Sequence, residues 1–211
     1  MTADLTSQRL EAWLSARSIA RGVPAPVRDR GGWRVDTGSA AELCRYVFLE
    51  ADAAFRTAAD AIDSPRMFLK ACAPAADVLA IVPSRWTVQS VAWMMVQDSH
   101  CDDPVSLPEG YTLDLTTQRD VASAVIADAA GTLAASGYGA MAGGVFCYDR
   151  IVTQPEHRRR GLGRAIMSVL GQRQAPETLR MLAATDAGRA LYETMGWRVV
   201  APYTTIEILR A

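Results

Sequence analysis

The 211-residue sequence predicts an α/β (α+β) protein. A mixed, mostly antiparallel sheet flanked by helices is preceded by a smaller α/β unit. Three observations carry this prediction. Short apolar runs bounded by Gly, Pro and Asp alternate with amphipathic stretches along the whole chain. Val121–Asp128 and Thr132–Met141 flank Ala129-Ala-Gly131, the pattern of a β-hairpin. An apolar run ending at Pro155 leads through His157–Arg160, Gly161 and Gly163 into an amphipathic stretch, the order of a strand, a tight turn and a helix.

The elements follow in order. Leu5, Leu10, Trp13, Leu14 and Ile19 fall at helical spacing, and Gly22 with Pro24 closes that helix near Ala20. Gly31-Gly32 introduces a short strand at Trp33–Val35. Ser39 caps a predicted long helix reaching Ile62, with Leu43, Val47, Phe55 and Ile62 on its buried side. Met67–Cys72 reads as a strand, Pro74–Ile81 as a short helix and Trp86–Val96 as another strand. His100–Gly110 is polar and rich in breakers, which makes it the linker between units 1–104 and 105–211. Beyond it, Tyr111–Leu115, the hairpin and Gly144–Thr153 supply strands. A helix over Leu162–Gln172, a strand over Leu179–Ala184 and a helix over Ala187–Met195 come next. Arg198–Val200 and Thr204–Leu209 form two closing strands. No internal repeat of sequence is visible.

Composition narrows the function classes. Half the residues are hydrophobic, 21% are charged and the net charge is −1, so no general affinity for nucleic acid or anionic membrane is expected. No apolar stretch approaches the ~20 residues of a membrane span, and the polar start Met1-Thr-Ala-Asp4 does not read as a signal peptide. Cys44, Cys72, Cys101 and Cys147 are widely spaced and only two histidines accompany them. Reduced thiols in the cytoplasm and no metal site are therefore expected. Lys70 is the sole lysine, so arginine identity says little by itself and spacing has to carry the argument.

The turn at residues 157–163 has the chemistry of an anion site. Free N–H groups at a helix start and the positive end of its dipole suit phosphate oxygens. Glycine admits the close approach of ligand to backbone. No Lys-Ser/Thr follows the last glycine and GxGxxG is missing, so neither of those phosphate motifs is present. A tight connection with a solvated basic face is the plainer alternative.

A second segment, Thr185-Asp-Ala-Gly-Arg-Ala-Leu-Tyr-Glu-Thr-Met-Gly-Trp197, follows the next strand. Together the two segments resemble the GNAT superfamily of acyl-CoA-dependent N-acetyltransferases. Arg158, Gly161 and Gly163 match its Gln/Arg-x-x-Gly-x-Gly/Ala signature. Gly188 stands in the alanine position of its second helix, followed by Leu191, Tyr192, Gly196 and Trp197. The resemblance covers the second half of the chain, and the first half is similar to a degenerate leading half of two-part GNAT proteins. It implies acetyl-CoA as co-substrate with no metal. Backbone contacts from Ile151, Val152 and Thr153 to pantetheine are implied, as are contacts to the pyrophosphate from Arg158, Arg159, Arg160, Gly161, Leu162, Gly163 and Arg164. Where relatives often have asparagine this chain has Thr185, whose hydroxyl is the expected substitute.

The reaction the resemblance implies is direct attack of a primary amine on the thioester. Tyr192 matches the tyrosine that protonates the leaving thiolate. Asp149, on the strand before the turn, is the candidate base, since the glutamate used by some relatives is replaced by Arg180. Glu177 and Glu193 are weaker candidates. Cys147 is expected to be a buried structural thiol, and Ser136-Gly-Tyr-Gly139 either lines the acceptor site or packs tightly against a neighbour. The expected activity is acetylation of a small-molecule amine, with a homodimer as a compatible assembly. A protein N-acetyltransferase, a non-catalytic CoA sensor and an unrelated phosphate-binding domain remain as alternatives.

Overall fold

The computed structural model describes residues 5–97, 106–172, 174 and 177–209. Helix α1 (Ser7–Arg21) begins where the Thr6 hydroxyl accepts from the Arg9 N–H and ends at left-handed Gly22. Its stripe of Leu10, Trp13 and Leu14 is fully buried. Strands β1 (Val27–Asp29) and β2 (Gly32–Asp36) form a hairpin. The long helix expected from Ser39 to Ile62 is not formed. Cys44–Phe48 is instead strand β3, buried along its whole length between antiparallel β2 and parallel β4 (Met67–Ala71). A run of Tyr, Val and Phe buried on both faces suits an inner strand, and the Ser39 hydroxyl is used in a turn with Glu42. The helix proper is α2 (Ala53–Ala61), capped by Asp52, whose carboxylate accepts from the Ala54 and Phe55 N–H groups, each at 3.0 Å. Helix α3 (Ala75–Ile81) and the long strand β5 (Trp86–Gln97) follow.

The predicted linker at 100–110 falls partly outside the described residues. The chain resumes with β6 (Thr112–Gln118), β7 (Val121–Ala127), β8 (Leu133–Ala142) and β9 (Val145–Thr153), all antiparallel neighbours. A short 3₁₀ turn (Pro155–His157) leads to α4 (Leu162–Gly171), β10 (Leu179–Ala184) and α5 (Asp186–Glu193). The two expected closing strands are one strand, β11 (Arg198–Ile208). Pro202 does not interrupt it, because irregularities at Val199/Ala201 and Thr205/Ile206 absorb the register.

The eleven strands of the described residues form one sheet in the order β1-β2-β3-β4-β11-β5-β10-β9-β8-β7-β6. Apart from the edge strand β6, this order is a palindrome. Each half runs through three strands, a helix, a parallel strand, a second helix and a final strand. The final strands are exchanged: β5, from the first half, pairs with β10, and β11, from the second, pairs with β4. The fold therefore repeats although the sequence does not. Helices α2 and α3 cover a core around Phe48, Phe55 and Leu69, while α4 and α5 cover a second around Phe146, Ile166 and Trp197. Helix α1 packs a third core at the sheet centre, with Trp13 edge-on to Tyr203. Cys44, Cys72 and Cys147 are free thiols. Among the described residues, no helix is long and apolar enough to cross a membrane.

Candidate active site

The site lies where β9 and β10 part. These parallel strands pair only over Val145–Cys147 and Leu179–Met181. Past that point β9 stays with β8 and β10 stays with β5, so a cleft opens between their C-terminal ends. A bulge sharpens the divergence. Ser136 faces Val152 and Tyr138 faces Asp149, so Gly137 stands against both Arg150 and Ile151, and Arg150 takes a positive φ of 53°.

At the mouth of the cleft the chain turns into α4. Arg159 (φ 62°) and Gly161 (φ 79°) are both left-handed, and α4 starts at Gly161 with no side-chain cap. Its first N–H groups are left for an outside acceptor, and alternating left- and right-handed residues converge such groups into an anion nest. A cavity of about 640 Å³ sits here, lined by Thr153, Arg158, Arg159, Gly161, Leu162, Gly163, Arg164 and by Ala187, Ala190, Leu191 and Thr194 of α5. Gly163 lets the two helices approach: a Cβ there would stand 3.1 Å from Leu191 Cδ2. The lining has three guanidiniums and no carboxylate, and its geometry suits a pyrophosphate carried on an apolar arm.

A second cavity of about 210 Å³ occupies the inner end of the cleft, between α1 and α5. Trp13, Arg17, Arg21, Tyr148, Asp149, Arg150, Ile151, Leu182, Ala183, Thr185 and Tyr192 line it. Tyr192 is buried, and burial pushes its phenol up to about 12, so it holds its proton at neutral pH. Asp149 is buried among three guanidiniums. Arg21 binds it through two nitrogens at 2.7 and 2.9 Å, Arg150 through Nε at 3.1 Å and Arg17 through Nε at 3.3 Å. Burial alone would raise the Asp149 carboxyl, but the Arg21 hydrogen bond and the three positive charges outweigh it and hold the group below its ordinary range.

Residues 120–199 match the family model of the acetyltransferase (GNAT) domain. This segment is similar to the GNAT acetyltransferase domain. The whole chain shares its fold with a GCN5-related N-acetyltransferase from Kribbella flavida at 18% identity and a TM-score of 0.67, covering 99% of this chain and 98% of that one. A GNAT-family protein from Novosphingobium aromaticivorans aligns at 18% identity and a TM-score of 0.57, over 96% and 99% of the two chains. A tandem GNAT protein from the clavulanic acid biosynthesis pathway aligns at 17% identity and a TM-score of 0.53, over 75% and 70%. No curated protein matches the sequence significantly.

Several residues singled out from sequence take other places in the structure. Val152 is largely exposed on β9, and Arg160 donates to the Tyr111 hydroxyl at 3.1 Å instead of lining the cavity. The same hydroxyl meets His157 Nδ1 at 2.8 Å, so Tyr111 ties the turn to the hairpin side of the domain. Thr185 caps α5, its hydroxyl accepting from the Gly188 N–H at 3.2 Å while the residue also lines the inner cavity. Arg180 is buried, donating to the Gln97 side chain and to the Gly171 carbonyl at the end of α4. Gly137 and Gly139 serve packing: a Cβ on Gly137 would lie 2.5 Å from Ile151 and Ile166, and one on Gly139 would lie 2.1 Å from the Phe146 ring. Burial raises the Cys147 thiol, as suits a structural cysteine. Glu193 pairs with Arg189 on the outer face of α5. Sequence reasoning missed Arg17 and Arg21. Their place in a helix with buried Leu10, Trp13 and Leu14 was visible, but their partner lies 132 and 128 positions away.

Proposed function

We propose that this protein transfers an acetyl group from acetyl-CoA to the primary amine of a small molecule, in the reducing cytoplasm that its free thiols suit. The observation that carries this reading is the uncapped, left-handed entry into α4, opening on a cavity beside α5, while Thr185 and Tyr192 at the same helix line a second cavity. Backbone amides of residues 159–164, with Arg158, Arg159 and Arg164, would hold the pyrophosphate. The splayed ends of β9 and β10 would align the pantetheine arm toward the inner cavity. Acetyl-CoA supplies the activated thioester. Tyr192, protonated and buried, would give its proton to the leaving sulfur. Past Cys147 the β10 side of β9 has no paired strand, and backbone N–H groups there would serve the oxyanion of the reacting carbonyl.

Asp149 takes a different part from the one its position in the sequence implies. With three guanidiniums on it and its carboxyl depressed, it is a poor proton acceptor and a good organiser of arginines. Among the described residues no other carboxylate lines either cavity. The excess positive charge itself disfavours the ammonium form of a bound amine, and water carries its proton away. The first half of the chain contributes α1 as a wall of the inner cavity, whichever boundary near residue 104 separates the two units.

Saturating acetyl-CoA is expected to raise Tm by about 5 °C or more at 100-fold excess over Kd. An unchanged melting curve would sink the co-substrate assignment. Thiol release across an amine panel then separates an enzyme from a CoA sensor. Tyr192→Phe is expected to lower kcat about 100-fold with little change in the KM for acetyl-CoA.

A further inference from the structure

The inner cavity carries more positive charge than the protein itself compensates. Arg17, Arg21 and Arg150 face a single carboxylate, Asp149, which leaves two unbalanced positive charges in a space of about 210 Å³. Among the described residues the cavity lining supplies no further anion. Arg45, on β3 beside Arg17, spends its charge on Glu42 at 2.6 Å. Lys70, whose ammonium also feels Arg17, Arg45 and Arg21, donates to the Thr205 hydroxyl. Tyr203 and Cys147, the other titratable groups nearest Arg17, are both raised by burial and are neutral.

The three guanidiniums are not equally engaged. Arg21 grips Asp149 in a two-point contact. Arg150 divides its donors between Asp149 and the Ala20 carbonyl at 2.6 Å, with its plane 4.0 Å from the Tyr138 ring centroid. Arg17 makes one long hydrogen bond, 3.3 Å from Nε, its Cζ lies over the Trp13 ring at 5.1 Å, and its Nη1 is closed off from solvent with no acceptor. A guanidinium presents a planar fork that pairs best with two oxygens of one anion. Arg17 lines the cavity, and Nε is the only one of its nitrogens on a carboxylate.

We infer that the acceptor is an amine that also bears a carboxylate, an amino acid or a compound of that class, and that Arg17 with Arg150 binds the carboxylate. This deepens the acetyl-transfer reading and rests on it for the identity of the reaction. With the carboxylate on Arg17, the amine of a compact amino acid is left to face Tyr192 and the splayed strands. The small volume excludes a bulky acceptor, and a protein N-terminus, which has no carboxylate beside its amine, lacks the recognised group. Transfer balances simply: the amine nitrogen forms the amide bond, the carbon–sulfur bond breaks, and one amine proton passes to solvent while the thiolate leaves as thiol.

The test uses matched probes: amino acids, their carboxamides and the corresponding decarboxylated amines. In thiol-release assays with acetyl-CoA, kcat/KM is expected to fall at least 100-fold from the best amino acid to its amide and its amine. Arg17→Gln should remove most of that preference while the acetyl-CoA melting shift persists. Arg150→Gln, at a more exposed position, should weaken it about tenfold and guards against a folding defect. Amides or simple amines acetylated as well as the acids would overturn the inference. If no amine turns over, calorimetric titration of the same acids and amides into the protein still decides: acid-selective binding lost in Arg17→Gln supports it and absence of selectivity overturns it. Failure of acetyl-CoA to bind or react would instead remove the acetyltransferase reading.

Discussion

The two halves of this molecule use one strand order to make two different helix entries. In the second half, β9 and β10 pair over three residues and then part, and α4 begins at left-handed Gly161 with its N–H groups uncapped. In the first half, β3 and β4 stay paired over all five residues of each, and α2 begins at Asp52, whose own carboxylate takes two of the free donors. The residues before α2 (Leu49, Glu50, Ala51, Asp52) bring negative charge to the place where the second half has Arg158, Arg159 and Arg160. A shared topology thus does not make a shared site. What separates an anion-binding helix start from a structural one is whether the protein fills the cap itself.

The sharpest way to break that contrast is to give the second half the first half's solution. Gly161→Asp places a capping carboxylate at α4 and a Cβ on a backbone with φ 79°. Acetyl-CoA affinity is expected to fall about 1,000-fold, roughly 4 kcal/mol, with the melting shift as readout; retention of the shift would show that the cap is not what matters. Next in size is the buried charge. Asp149→Asn leaves three guanidiniums facing no anion, and a loss of about 3 kcal/mol is expected, roughly 6–12 °C in Tm. Because the folded carboxyl lies below its unfolded value, its contribution is present above about pH 4 and fades as pH falls through the folded value. The variant should lose that part of the acid limb.

Asp52→Ala removes a cap that serves only the first half. It should cost about 1 kcal/mol, some 2–4 °C, and leave the acetyl-CoA shift intact. A diminished shift would mean that the halves are coupled through the cofactor site. Smallest is the first half's half-buried cation, Lys70, which desolvation and the neighbouring Arg17 and Arg45 push down to about 7. Between that value and the unfolded value near 10.4 the unfolded chain holds the extra proton, so stability rises with pH across this window. Lys70→Met is expected to raise Tm slightly at pH 7 and to flatten that rise; a lower Tm at pH 7 would show that the Thr205 hydrogen bond outweighs the charge penalty.

The parts of this structure that local spacing controls were legible beforehand. The stripe of α1, the hairpin of β7 and β8, and the glycine turn into α4 all announce themselves within a dozen residues, as does the Leu191-Tyr192 helix. Misreadings came where burial overrides periodicity. Cys44–Phe48 sits between two strands and needs no alternation, so its apolar residues imitate a helical stripe. Long-range partners were invisible for a different reason. Nothing near Asp149 names Arg17 and Arg21, and nothing near β11 says that it lies between β4 and β5.

That exchange of final strands has a consequence for how the protein is made. As the chain leaves the ribosome, the first half has no strand of its own to lie beside β4, whose partner β11 is the last of the strands to emerge. Strand β5 likewise waits for both β10 and β11. Neither half completes its sheet before β11 has been made, so a long nascent intermediate carries an open, hydrogen-bonding edge until that strand emerges. Folding is then a single late event, and shielding of that edge in the cell should decide how much of the protein accumulates.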